Sequence, residues 1–296
     1  MKILLSAQWY PIAIARYFEL AFRARSDVQV ITFGPTSGAS IPWGAEFNYP
    51  EYAFTPDIVT PVAPTAPMEW WFNSISRDVD LIVQVDSTYY MTPPDNVPNV
   101  IIATDPHCIN YDRERKIADY FFNMQESYLQ PGDYPLSYAY CAYTHYPEDI
   151  PAEYDVIING LQYNPRRIVA EVLRGKRRVV HAKLGDIWDD YRHATAKAKC
   201  VFTHSSQDDL IARVFESLAM KKPLVCNMVS ALRRHFTDTV HLLTFPSNDV
   251  WSAVCRVEDV LDHPEEAAEM AERGYRKVKG ETYDARVEEI LEVVHA

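Results

Sequence analysis

The stretch FTHSSQDDLIARVFESLAMKKPLVCN, residues 202–227, carries two acidic side chains, Asp208 and Glu216, in a segment that reads as strand, turn, helix and strand. The strand CVFTH ends at His204, and Ser205, Ser206, Asp208 and Asp209 then supply N-cap candidates for a helix beginning near Leu210. A helix that starts at the carboxyl edge of a parallel sheet aims the backbone N–H groups of Leu210, Ile211 and Ala212 at the ligand crevice, a good seat for a diphosphate. An eight-residue spacing puts Asp208 and Glu216 about two turns apart on one side of that segment. Carboxylates accept paired hydroxyl donors, so one could hold sugar hydroxyls and the other a ribose. The plainer duties of the same residues are an N-cap and an ion pair between Glu216 and Arg213, three residues earlier. Spacing alone weighs the two readings evenly.

The N-terminal half offers a second set of polar groups at expected strand ends: Gln8–Trp9–Tyr10, Asp86–Ser87 and the run TDPHC, Thr104 to Cys108. Asp105 could take the proton of a hydroxyl nucleophile, and His107 could contact a sugar or phosphate. The plainer duty of Asp105, before Pro106, is that of a turn residue. Asp78 and Asp80 form a D-x-D, a spacing used elsewhere to hold a metal with a nucleotide diphosphate. They precede the strand LIVQV, at the edge opposite the ligand crevice, and read as solvated acids. The chain has no G-x-G-x-x-G, no G-x-x-x-x-G-K-[ST] and no H-E-x-x-H, so dinucleotide, P-loop and zincin chemistry have no motif here.

The elements that must position these groups alternate along the chain. KILLSA, DVQVITF, DLIVQV, NVIIAT and YFFNM read as strands, separated by helical patterns such as IAIARYFELAFRAR and MEWWFNSI. Nearly continuous apolar strands in strand–helix–strand order predict parallel sheets covered on both faces. Residues 34–67 read as an irregular excursion. The run QPGDYPLSYAYCAYTHYPEDIPAEY reads as a last strand and a linker ending near Ala152, after which the alternation restarts with YDVIIN. The expected fold is therefore α/β: two tandem Rossmann-like, doubly wound parallel-sheet domains, 1–152 and 153–296, with a cleft between them and a last helix able to pack back on the first.

Bulk properties agree. The 296 residues suit two cores, since domains usually hold about 100–150 residues. Twenty-nine basic against 41 acidic residues give a net charge of −12, which opposes a broad nucleic-acid surface. The five cysteines are scattered and odd in number, which fits reduced thiols in a cytoplasmic protein, and no stretch reaches the roughly 20 apolar residues of a membrane span.

The segment RVFESLAMKKPLVCNMVSALRRHFTDTVHLLTF resembles the C-terminal signature of glycosyltransferases of the two-Rossmann (GT-B) type, in particular group-1, family-four enzymes and their spore-maturation-like relatives. Their acidic-x7-Glu pair corresponds here to Asp208 and Glu216, with Asp in place of the usual first Glu and hence a shorter reach. YDVIINGLQYNPRRIVAEVL looks like the strand, glycine loop, Arg and helix that open the family's donor domain, matching at Gly160 and Arg166. The resemblance covers roughly residues 153–296. It implies transfer of a sugar from a nucleotide-diphosphate sugar, UDP-sugar first among them, to a hydroxyl acceptor, with no metal and no other cofactor. It further implies that Glu216 holds the ribose, that Asp208 and the N–H groups of Leu210 to Ala212 hold the sugar and diphosphate, and that Arg166 and Arg213 neutralise phosphate charge. Ser205 and Ser206 could reach the nucleotide. The family's phosphate lysine has two candidates, Lys176 and Lys183. Two other readings stand beside this one: glycosylation of a hydroxymethylated base in DNA, and a catalytically silent sugar-nucleotide-binding or assembly protein.

Overall fold

The computed structural model describes residues 1–42, 47–61, 66–85 and 90–296. The first parallel sheet is built from β1 (Lys2–Ser6), β2 (Gln29–Gly34), β3 (Ile58–Val59), β4 (Leu81–Val85), β5 (Asn99–Ala103), β6 (Tyr120–Asn123) and β7 (Tyr134–Pro135). Its strand order is β3-β2-β1-β4-β5-β6-β7, with every pairing parallel. Helices α1 (Ile14–Arg23), α2 (Ala66–Ser76) and the single turn α3 (Glu114–Ile117) connect these strands. All five residues of β4 and all five of β5 are buried, as expected for strands covered on both faces. One core cluster joins Leu4, Phe33, Phe72 and Ile82.

The second sheet comprises β8 (Tyr154–Asn159), β9 (Val180–Lys183), β10 (Ala198–Thr203), β11 (Leu224–Asn227) and β12 (Leu243–Phe245), in the order β12-β11-β10-β8-β9 and again parallel throughout. Its helices are α4 (Asn164–Gly175), α5 (Trp188–Ala196), α6 (Ala212–Ala219), the turn α7 (Leu232–His235), α8 (Val250–Asp262) and α9 (Pro264–Val278). Val156 and Ile158 of β8 and Cys200 and Phe202 of β10 pack with Val169 and Leu173 of α4 and Val254 and Val257 of α8. The strand order reverses between β8 and β10, the position where open parallel sheets gather their ligands.

The chain forms two compact units, Met1–Ser137 with Tyr283–Ala296, and Tyr138–Thr282. This partition differs from a boundary near Ala152, because residues 138–152 are bonded into the second unit. Tyr140 N–H donates to the Glu281 carbonyl at 3.1 Å, and Arg192 of α5 reaches the Thr144 carbonyl at 3.2 Å and the Glu148 carboxylate at 2.7 Å. A segment that supplies acceptors to a guanidinium only 8% exposed is part of the core, not a free linker. The last helix, α10 (Tyr283–His295), belongs to the first unit. Tyr283 stacks on Tyr17 of α1 at 5.1 Å, and Arg286 donates to the Ser137 carbonyl at 2.9 Å.

Among the described residues, no helix is long and apolar enough to cross a membrane. Asp80 caps the start of the first sheet by accepting from Lys2 N–H at 2.7 Å, so the D-x-D does stand at the amino edge of β4. Gly34 ends β2 at φ 139°, and a Cβ there would lie 1.9 Å from the Ala7 carbonyl oxygen. The strand ends approach too closely for any side chain. Gly34→Ala is therefore expected to cost the first unit about 2–3 kcal/mol or more. Chemical denaturation followed by far-UV circular dichroism checks this.

Candidate functional site: two arginines at the strand-order reversal

The carboxyl ends of β8 and β10 bring Gly160, Arg166, His204 and Arg213 together. Gly160 follows β8 at φ 99°, and a Cβ there would stand 2.5 Å from Nη2 of Arg213 and 3.0 Å from Nη1 of Arg166. Both guanidinium groups therefore lie against the bare backbone of this loop, and the glycine is required by the space they take as well as by its φ. Arg166, on the first turn of α4, is 3% exposed. Its Nη1 donates to the Leu161 carbonyl at 3.1 Å, its Nη2 to the His204 carbonyl at 2.7 Å, and its guanidinium sits 4.5 Å over the Tyr163 ring. Arg213 is the second residue of α6 and half-buried. Among the described residues neither guanidinium forms an ion pair with a carboxylate. Burial, and then the positive charge of Arg213, push the Arg166 pKa down to about 10. The Asp209 carboxylate pulls the other way without forming an ion pair, and two adjacent cations make a site for a multiply charged anion.

The helix beside them starts later than the sequence pattern predicts, at Ala212 and not near Leu210, with Ile211 as an extended N-cap whose side chain caps nothing. Helix geometry leaves the N–H groups of Ala212 and Arg213 without an intrahelical acceptor, at the same edge as the two guanidinium groups. The Val214 N–H is already bonded to the Ile211 carbonyl at 3.1 Å. Leu210 and Ile211 therefore belong to the approach of the helix and not to its first turn.

The expected N-caps have other work. Ser205 donates to the Gln207 carbonyl at 2.9 Å and to the Asp209 carboxylate, and its backbone is held by Asn227 on both sides, N–H to Oδ1 at 2.7 Å and Nδ2 to carbonyl at 3.1 Å. Ser206 is exposed. Asp208 lies in a bend, exposed, and accepts from Ser230 N–H at 2.6 Å. The helical spacing argument for Asp208 and Glu216 fails for this reason: only Glu216 is on the helix.

Glu216 is 7% exposed and makes no ion pair with Arg213 or any other cation among the described residues, which removes the plainer duty considered for it. Its neighbours are Tyr191 of α5 and His145. Burial and then Glu216 raise the Tyr191 pKa, whereas burial lowers that of His145 against an opposing pull from Glu216. Lys176 pairs with Glu258 at 3.6 Å and Lys183 with Asp186 at 3.0 Å, so each ammonium already has a carboxylate.

In the first unit, Asp105 and His107 follow β5. The Asp105 carbonyl closes a turn by accepting from the N–H groups of Cys108 and Ile109, both at 2.9 Å, and its carboxylate lies 3.4 Å from the Thr104 hydroxyl. His107 has its Nδ1 buried without a hydrogen bond and its ring 6.1 Å from Tyr128. It borders a concavity of about 410 Å³ with Tyr111, Arg115, Tyr128 and Gln130. Trp9 is fully buried, its indole donating to the Phe33 carbonyl at 2.9 Å, so it packs the core and lines no crevice. Asp86 and Ser87 lie outside the described residues. Tyr163, Tyr191 and His145 border the site but belong to no spacing motif, and only their proximity in the fold reveals them.

Residues 158–292 match the model of the glycosyl transferase-like family. The matched segment covers most of the second unit and part of α10. Gly160, Arg166, Arg213 and Glu216 all fall inside it. A search of curated proteins finds no match. Among solved structures, the fold is similar to HepE from Anabaena, solved in complex with UDP-glucose, at 11% identity over 100% of this chain and 99% of that one, with a TM-score of 0.69. It is similar to a glycosyltransferase from Rickettsia africae at 9% identity, 99% and 97% coverage and a TM-score of 0.69. Sucrose-phosphate synthase from Thermosynechococcus elongatus gives 12% identity, 100% and 98% coverage and a TM-score of 0.65. The two-Rossmann fold class and the resemblance to GT-B glycosyltransferases are thus borne out.

Removing one of two like charges should relieve repulsion while emptying the anion seat of half its charge. Arg213→Gln is expected to keep or raise the thermal midpoint, and to weaken binding of inorganic pyrophosphate at least tenfold. Differential scanning fluorimetry and isothermal titration calorimetry read the two effects.

Proposed function

We propose that this chain transfers a sugar from a nucleotide-diphosphate sugar, with uridine as the leading base, to a hydroxyl acceptor without a metal ion. The observation that carries the reading is the pair of guanidinium groups of Arg166 and Arg213 flanking Gly160 at the strand-order reversal, neither of them in an ion pair with a carboxylate among the described residues. A diphosphate supplies the missing negative charge. The glycosyl transferase-like match and the UDP-glucose bound by HepE support the same class of donor.

In this reading the bond between the anomeric carbon and the β-phosphate oxygen breaks as the acceptor oxygen bonds to that carbon, and the departing electron pair settles on the diphosphate. Arg166 and Arg213 hold positive charge where negative charge grows, and the buried bonds of Arg166 to Leu161 and His204 keep it from relaxing away. The N–H groups at the start of α6 add to that field. Glu216 accepts from the ribose hydroxyls, and Asp208 holds the sugar. Asp105 takes the acceptor's proton and His107 contacts the sugar or phosphate. Because the two arginines do the electrostatic work usually given to a divalent cation, the reaction proceeds in the presence of a chelator.

The expected outcome is that UDP-glucose is turned over or slowly hydrolysed in excess EDTA, with UDP release followed by a coupled assay. Glu216→Ala should lower UDP affinity at least tenfold with an unchanged far-UV circular dichroism spectrum. Unchanged affinity in that variant would remove the ribose role. Loss of activity on chelation that added magnesium restores would remove metal independence, and tight nucleotide binding with no turnover of any nucleotide sugar would reduce the chain to a binding protein.

A further inference from the structure

Behind Glu216, the layer between the second sheet and helices α5 and α6 holds a group of buried polar atoms that make no hydrogen bond of standard geometry among the described residues. Alternation along the strands explains where they point. Val156, Ile158, Cys200 and Phe202 face the core covered by α4 and α8, so Asn159 at the end of β8 and Thr203 at the end of β10 face the opposite side. Both amide atoms of Asn159, the hydroxyls of Thr203 and Ser217, and the hydroxyls of Tyr191 and Thr195 on α5 are all buried without a partner of standard geometry. Buried polar groups are ordinarily bonded, so a set of this kind next to a binding carboxylate calls for a reason.

Tyr191 is the member whose surroundings are most constrained. The residue is 8% exposed, and its hydroxyl lies within the electrostatic reach of the Glu216 carboxylate. Its ring stands edge-on to the His145 ring, with centroids 5.8 Å apart and planes at 83°. His145 in turn is held by the Cys141 N–H, which donates to its Nδ1 at 3.1 Å. The next residue on α5, Arg192, clamps the segment that carries His145, reaching Thr144 and Glu148 and lying 4.2 Å over the Tyr146 ring. Tyr191 is therefore braced at its ring, while its tip has no hydrogen bond of standard geometry among the described residues. A side chain in that state can donate a hydrogen bond without paying to reorganise.

We propose that Tyr191 is the positioning residue of Glu216: its hydroxyl donates to one oxygen of the carboxylate when a nucleotide is bound, which fixes the other oxygen toward the ribose hydroxyls. The assignment rests on the reading of Glu216 as the ribose ligand. A glutamate has three rotatable bonds, and an unheld carboxylate loses that freedom on binding a diol. Tyr191 removes the loss in advance. Burial and the nearby carboxylate both favour the neutral phenol, so it remains a donor through the pH range of any assay.

The test measures ribose discrimination and not affinity alone. Binding of UDP, GDP and ADP is compared by calorimetry, and the tightest is measured against its 2′,3′-dideoxy counterpart in the wild type, Tyr191→Phe, Glu216→Gln and the double variant. The wild type is expected to prefer the ribonucleotide at least tenfold. Tyr191→Phe should cut that preference at least threefold while leaving the thermal midpoint within about 2 °C, because the lost hydroxyl makes no hydrogen bond of standard geometry among the described residues. In the Glu216→Gln background, Tyr191→Phe should change nothing further. An unaltered preference in Tyr191→Phe, or an equal loss of affinity for both nucleotides in both backgrounds, overturns the positioning role. So does failure of Tyr191→Phe to fold, which would make the hydroxyl a structural group. If Glu216→Gln itself keeps the wild-type preference, the ribose reading of Glu216 falls, and this inference falls with it.

Discussion

Two guanidinium groups pressed against one glycine are the constraint on which the second unit is built. Like charges at that separation repel, and partial burial strengthens the repulsion, so the arrangement persists only because the fold holds Arg166 from outside. Arg166 is locked by the carbonyls of Leu161 and His204 and by the face of Tyr163, and the Tyr163 hydroxyl itself donates to the His204 carbonyl. The strand ends that present those carbonyls are adjacent because β8 and β10 are neighbours in the sheet order. Any residue larger than glycine at 160 would occupy the space of the guanidinium groups. The charge, the turn and the sheet topology are therefore one requirement.

A stability-driven design would fill this region differently. It would give each arginine a carboxylate, as the same chain does with Arg115 and Asp133 at 2.8 Å and with Arg178 and Glu258 at 3.0 Å. It would also pair the buried hydroxyls of Thr203, Ser217 and Tyr191, which here make no hydrogen bond of standard geometry among the described residues. Departures from local satisfaction are expected where a ligand completes the structure. Their concentration at the carboxyl ends of β8 and β10, and along the adjoining faces of α5 and α6, separates this region from the ordinary polar surface. The one carboxylate available to neutralise Arg213 from its own helix, Glu216, faces Tyr191 instead.

Legibility in the sequence followed the range of the interactions. The strands β4 and β5 were readable because burial on both faces leaves unbroken apolar runs, and α1 because its apolar positions repeat at helical spacing. The segment 138–152 was not. Its tyrosines and prolines look like linker composition, and its membership of the second unit depends on Arg192, which stands 40 residues or more away in the chain. Trp9 misled for a similar reason. It directly follows a strand end, but Gly34 lets the neighbouring strand close over it, and its indole is used inside the core.

The amino-acid sequence by itself determined the alternation of strands and helices and the existence of two sheets, because periodicity and residue type act locally along the chain, and its resemblance to a known family pointed to Gly160, Arg166, Arg213 and Glu216. Only the tertiary structure decided what those residues do to one another. It separated Arg213 from Glu216, moved Asp208 off the helix into a bend, and set Tyr191 beside the buried carboxylate. The physical reason is that the fate of a charge depends on its neighbours in space, and those neighbours are chosen by strand order and helix start, neither of which is written in the spacing of any single motif.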